Sequence, residues 1–225
     1  MLLLGESRAR RQRLHAEFVR QAYTGDVDDD NVPAGAVADF QAMFPRLWKV
    51  KWANEHKDVL WRLAVDGLHY VGGAHRPARL YPTTCPCGAQ GMHPRLHHFW
   101  DCDVALVLRC LIELHLPQPP LLRHHLWLGM PPSGVLPKVW NVVLLAALSA
   151  LEWGRVAFWR AARSDHGSAA LTRRVAAGVC SDFVARLAGF AAAHPFPRGW
   201  DDVHNLHPFL GRGAGGALLV RCVPL

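Results

Sequence analysis

Apolar residues recur along most of this chain at the three-to-four-residue spacing of amphipathic helices, and strict alternation of the strand kind is scarce. After Ser7, a possible N-cap, Leu14, Phe18 and Ala22 follow at i, i+4 with arginines on the other faces, which predicts a helix to Tyr23. The acidic run Asp26 to Asp30 breaks it, and Val32-Pro33-Ala34-Gly35 leads into a second short helical stretch from Ala36 to Met43. Between Arg46 and Tyr70 lie Trp48, Trp52, Val59, Leu60, Leu63, Ala64, Gly67 and Leu68, core residues whose spacing predicts one helical stripe in the later half, ending at Gly72-Gly73. The segment from there to Thr84, with Pro77 and Pro82, reads as a loop.

In the second half, Asp103 is placed to cap a helix from Val104 to Leu114, which Pro117-Gln118-Pro119-Pro120 stops. A shorter helix, Leu121 to Leu128, is stopped by Pro131-Pro132. Pro137 suits a first helical turn, and the run to Arg163 predicts the longest helix of the chain. Ser168 is placed to cap a last helix reaching Ala193. The tail from His194 is expected to be irregular, with a strand pattern only from Ala217 to Val220. These elements divide the chain into a basic N-terminal arm with its acidic turn (1–45), a central unit (46–116), C-terminal helices (117–193) and a tail (194–225).

Composition makes this a folding chain, since 51% of its residues are apolar and nine are tryptophan. A net charge of +7 and a pI near 9.4 favour an anionic partner, RNA or DNA, although an arginine-rich, alanine-rich and proline-rich bias also raises the charge. The densest basic patch is Arg8, Arg10, Arg11 and Arg13, the candidate phosphate contacts. Met1-Leu2-Leu3-Leu4 is far shorter than the apolar core of a secretion signal, so an intracellular protein, nuclear or cytoplasmic, is expected. The apolar stretch Val139 to Leu151 is interrupted by Asn141 and Ser149 and falls short of the roughly 20 residues a span needs, so a buried core helix and no membrane partner are expected.

In a reducing compartment, three cysteines between Cys85 and Cys102 point to metal rather than disulfides, while Cys110, Cys180 and Cys222 read as buried inert thiols. Thr84-Cys85-Pro86-Cys87-Gly88 offers two thiolates from a tight turn, spaced C-x-C where most structural zinc turns have C-x₂₋₄-C. Leu96-His97-His98-Phe99-Trp100-Asp101-Cys102 offers an imidazole and a third thiolate. Cys85, Cys87, His97 and Cys102 complete a tetrahedral zinc set, with His98 an alternative to His97 and His93 an outsider. Four protein ligands make such a site structural, with no open position for a reacting water. The fold class expected is therefore mainly α, a helical domain with an inserted small zinc knuckle.

Catalysis finds little support. Ser133-Gly134 and Ser164-Asp165-His166 form no nucleophile elbow, Gly211 to Gly216 lacks the strand-loop-helix setting of a phosphate loop, and Asp28-Asp29-Asp30 lacks that of a two-metal polymerase site. The chain is expected not to be an enzyme. Trp100 is expected either to stack on a base or to form the small core of the knuckle, and His124-His125 to be structural.

In order, Leu60-Trp61-Arg62-Leu63, Cys85-Pro86-Cys87-Gly88 and His97-His98-Phe99-Trp100-Asp101-Cys102 resemble the reverse-transcriptase zinc-binding domain found downstream of the polymerase in LINE-type retrotransposons. The resemblance covers Asp58 to Leu114 and aligns His97 with the family's histidine. It implies a zinc-folded, nucleic-acid-binding accessory derived from a retrotransposon polyprotein, with a reverse transcriptase encoded elsewhere as a possible partner. A zinc-stabilised protein-interaction module and a relic without selected activity are the rival readings.

Overall fold

The computed structural model describes residues 2–24, 31–68, 85–90, 93–162, 168–194, 200 and 208–222. The expected acidic turn at Asp26 to Asp30, the Gly72-Gly73 stop, the loop to Thr84 and Ser164-Asp165-His166 lie outside them. What is described is mainly helical: α1 (Leu2–Thr24), α2 (Ala36–Trp48), α3 (Asn54–Ala64), a short α4 (Pro94–Leu96) running into a π turn (His97–Asp101), α5 (Asp103–Glu113), α6 (Arg123–Trp127), α7 (Pro137–Ala161) and α8 (Ala169–Ala193). The mainly α expectation is met.

The centre is α7, whose side chains from Val142 to Leu148 are fully sealed from solvent. Such a helix, apolar all round, has to be wrapped, and α3, α6 and α8 pack on it. By length and composition both α7 and α8 are long and apolar enough to cross a membrane, and most of the apolar window of α7 is buried inside the protein. Pro137 opens α7 in its first turn, as expected. Gly154 lets α8 approach closely, because a Cβ there would run into Val179 Cγ2. Ser168 caps α8, its hydroxyl accepting from Leu171 N at 3.1 Å.

The bounds of α1, α2 and α3 differ from expectation, and α1 begins at Leu2, so that Ser7, the expected N-cap, lies within it. The second helix continues past Met43 to Trp48 and contains Pro45, because Ala36, Phe40, Met43 and Leu47 bury one continuous stripe. The proline costs about 3 kcal/mol within a helix, and burial of Leu47 beyond it offsets part of that. The third helix, α3, ends before the expected Gly72-Gly73 stop. It begins at Asn54 and ends at Ala64, where Asp66 takes a φ of 51° and Gly67 N donates back to Arg62 O at 2.7 Å. Trp48, expected in the core, is 51% exposed, with Lys57 Nζ 5.8 Å from its ring centroid.

The tail also departs from the irregular reading. Its described part forms an antiparallel hairpin of β1 (Leu210–Arg212) and β2 (Leu218–Val220), pairing Leu210 with Val220 and Arg212 with Leu218. Phe209, Leu210, Leu218 and Cys222 are buried against the helices, which fixes the hairpin, and Gly215 and Gly216 supply the positive φ its turn requires. The same buried cluster extends from Phe18 on α1 to Cys222.

Candidate metal centre

Two short backbone devices bring the four sequence-predicted donors together. In the first, Cys85 N donates to Ala89 O at 2.8 Å and Gly88 N to Cys85 O at 2.9 Å, closing a tight loop. Gly88 sits at φ 98°, a conformation that glycine alone adopts cheaply, and this lets the C-x-C pair aim both sulfurs to one side. In the second, Cys102 N donates to His97 O at 2.7 Å, an i→i+5 bond that makes residues 97–101 a π turn. Cys102 then takes an extended backbone and serves as N-cap of α5, its carbonyl accepting from Leu106 N at 2.8 Å.

The ligand atoms of Cys85, Cys87, His97 and Cys102 all lie within 4.8 Å of one another, and Cys87 Sγ is 3.3 Å from His97 Nε2. Donors at about 2.0 to 2.3 Å from a tetrahedral zinc stand roughly 3.5 to 3.8 Å apart, so this set fits one such ion without large rearrangement. Cys85, His97 and Cys102 are buried and Cys87 is half-buried. Hydrogen bonding to Cys102 raises the Cys85 thiol far above its ordinary range, and burial raises Cys87. Cys102 is shifted the other way, held as a thiolate by donors from Cys85, His97, His98 and Val104 N. Three crowded sulfurs of which one readily carries charge are what a divalent cation would relieve.

His98 stands outside the four. It is buried, hydrogen-bonds to Cys102 and meets Trp159 edge-on with centroids 6.2 Å apart. Burial is the main cause that lowers its pKa. His93, the outsider, is exposed, and its carbonyl accepts from His97 N at 2.8 Å.

The four N-terminal arginines are all exposed along α1: Arg13 faces Glu17 at 3.8 Å, and the Arg11 guanidinium lies 5.8 Å from the Trp61 ring centroid. Trp100 is only 9% exposed, so no base can stack on it and it belongs to the local core. His125 Nδ1 accepts from Leu122 N at 3.0 Å and His124 stacks on Tyr23, both structural contacts. Gly211 to Gly216 serve the hairpin rather than a phosphate loop.

Sequence reasoning did not find a second polar constellation. His56 Nδ1 lies 3.3 Å from Ser149 Oγ and 3.0 Å from Arg186 Nη1, while His56 Nε2 faces Glu55 at 3.8 Å. This resembles a nucleophile, base and carboxylate in series, but Ser149 is buried in mid-α7 and Trp52 covers the imidazole at 4.2 Å between centroids. It ties α3, α7 and α8 together. Two partly buried arginines beside Trp100, Arg109 and Arg123, were missed as well, because they come from separate helices.

No protein-family model matches the chain, and neither a curated protein nor a solved structure matches it.

Proposed function

We propose that this chain is a nucleic-acid-binding accessory module folded around one structural zinc ion and related to the reverse-transcriptase zinc-binding domain of retrotransposons. The observation that carries the reading is the convergence of three sulfurs and one imidazole within 4.8 Å, from two turns whose sequences resemble those of that domain. A bound zinc would supply folding energy by joining the Cys85–Ala89 loop to the π turn. With four protein donors the centre has no vacant position for substrate, so the role is binding and not catalysis. The net charge of +7 and the exposed arginines of α1 supply the complement for phosphate.

The test has two stages. Elemental analysis of the purified chain should find about one zinc, lost in Cys85→Ser and Cys102→Ser. RNA and DNA binding should then weaken with salt, with a log-log slope near 0.9 per phosphate contacted on duplex DNA and near 0.7 on single strands. Replacing Arg8, Arg10, Arg11 and Arg13 by alanine should reduce that slope without loss of zinc. A zinc-loaded chain that ignores nucleic acid at low salt refutes the proposal. One observation favours the rival interaction module: Leu106 and Val107 of α5 and Leu114, the residue that follows it, are exposed apolar side chains, with Leu114 67% exposed.

A further inference from the structure

Trp100 is carried by the π turn, and two cations converge on its indole. The Arg109 guanidinium, from α5, lies 4.1 Å from the ring centroid, and that of Arg123, from the start of α6, lies at 6.0 Å. Arg123 is further fixed by Nε donating to Ala22 O at 3.3 Å and by Trp127 at 5.9 Å. Both arginines are half-buried, and Arg109 Nε is sealed from solvent with no hydrogen-bond partner. Two carboxylates act on them. Glu113 acts on Arg109, but its Oε1 is committed to Leu121 N at 2.9 Å, while Asp101, which acts on both, is exposed. Neither guanidinium forms an ion pair among the described residues.

Two guanidinium groups converging on one indole, with Arg109 acting on Arg123 electrostatically, are costly to hold at low-dielectric surface, and an oxyanion that reaches both offsets that cost. Planar forks stacked on an aromatic face present their remaining N–H groups in the geometry that suits phosphate oxygens. We propose that Arg109 and Arg123, aligned by Trp100, form a phosphodiester-binding site for the nucleic-acid backbone. The inference rests on the nucleic-acid reading above and gives the metal centre a task. His97 and Cys102 bracket the turn that carries Trp100, so metal at those donors fixes the platform on which both arginines lie.

The experiment uses the full zinc-loaded chain and a fluorescein-labelled single-stranded RNA, followed by anisotropy across a salt series. The double variant Arg109→Gln, Arg123→Gln should bind about tenfold more weakly, with a slope smaller by about 0.7 for the one phosphate lost. Asp101→Asn, which removes an exposed opposing charge, should bind about threefold more tightly. Inorganic phosphate should displace RNA from wild type better than chloride at equal ionic strength, and should lose that advantage in the double variant. If wild type binds RNA but the double variant keeps both its affinity and its slope, the site is wrong and the general function stands. Should the double variant fail to fold, an unchanged affinity in Asp101→Asn overturns the site. Failure of zinc-loaded wild type to bind RNA overturns both.

Discussion

Stripping metal from the proposed centre leaves Cys85 and Cys102 buried and Cys87 half-buried beside one imidazole, with only Cys102 well placed to carry charge. Zinc binds the folded arrangement of these donors far better than the unfolded chain, so its removal lowers stability by mass action. At free zinc a thousandfold above the dissociation constant the contribution is about 4.1 kcal/mol. For a chain of this size each kcal/mol moves the melting temperature by about 2 to 4 °C, so saturating zinc should raise it by about 8 to 16 °C over the chelated protein. Single substitutions should not be equivalent. Cys102→Ser also loses the sulfur that receives His98 and Val104 N, so it should destabilise more than Cys87→Ser, whose side chain is half-buried. His97→Asn should lose metal, whereas His98→Asn should keep one equivalent. Calorimetry with and without chelator, paired with the absorption spectrum of the cobalt-substituted protein, reads both stability and the number of thiolate ligands. A metal-free chain that is folded and indifferent to added zinc, or metal loss in His98→Asn but not in His97→Asn, would refute the reasoning.

Three further outcomes test the fold around the centre. Gly154→Ala gains about 1 kcal/mol of helix propensity but drives its Cβ into the buried, branched Val179, where overpacking costs about 1 to 3 kcal/mol; urea unfolding should show net destabilisation that Val179→Ala partly relieves. Burial, and then His124, lower His125 to about 4 from an ordinary 6.5. Its unfolded form therefore takes up a proton first, so stability is held above pH 6.5 and declines as pH falls from there toward 4. In His125→Asn, thermal melts should show a shallower decline over that window, and an identical profile would remove His125 from the account. Ser168→Ala removes the hydroxyl that accepts from Leu171 N and should cost about 1 kcal/mol by chemical denaturation.

Local chemistry set two helix starts as expected, at Pro137 and Ser168, but not two others: α1 begins at Leu2 and carries Ser7 inside it, and Cys102 rather than Asp103 is the N-cap of α5. Pro137 can open a helix but not continue one, and Ser168 offers an acceptor where free amides begin, so α7 and α8 start where those residues stand. Boundaries set by distant contacts did not read correctly. Pro45 is a stop signal by itself, yet the buried stripe ending at Leu47 carries α2 past it. At the end of α3, Asp66-Gly67 forms the turn that the more conspicuous glycine pair downstream had been expected to supply. The glycines from Gly211 to Gly216 look mobile in isolation, and only burial of Phe209, Leu210 and Leu218 on the helices makes them a hairpin turn.

At the candidate site the donor types were legible because thiol and imidazole chemistry belongs to the residues themselves, whereas the choice of histidine depends on backbone geometry. On a regular α-helix, residues four apart lie about 40° from each other around the axis and residues five apart about 140°. That rule would turn His98 toward the sulfur of Cys102 and His97 away from it. The π turn reverses the ranking: its i→i+5 bond sets His97 one turn above Cys102 and places its Nε2 among the sulfurs, leaving His98 to hydrogen-bond Cys102 from the side of Trp159. The extra residue in that turn carries a cost in helical regularity, and turns of this kind are frequent at functional sites. Here the widened turn carries both His97, the fourth donor of the candidate metal set, and the Trp100 indole. Arg109 and Arg123 are separated in sequence and come from different helices, so no spacing rule places them together; the turn that selects His97 also sets the surface on which they meet.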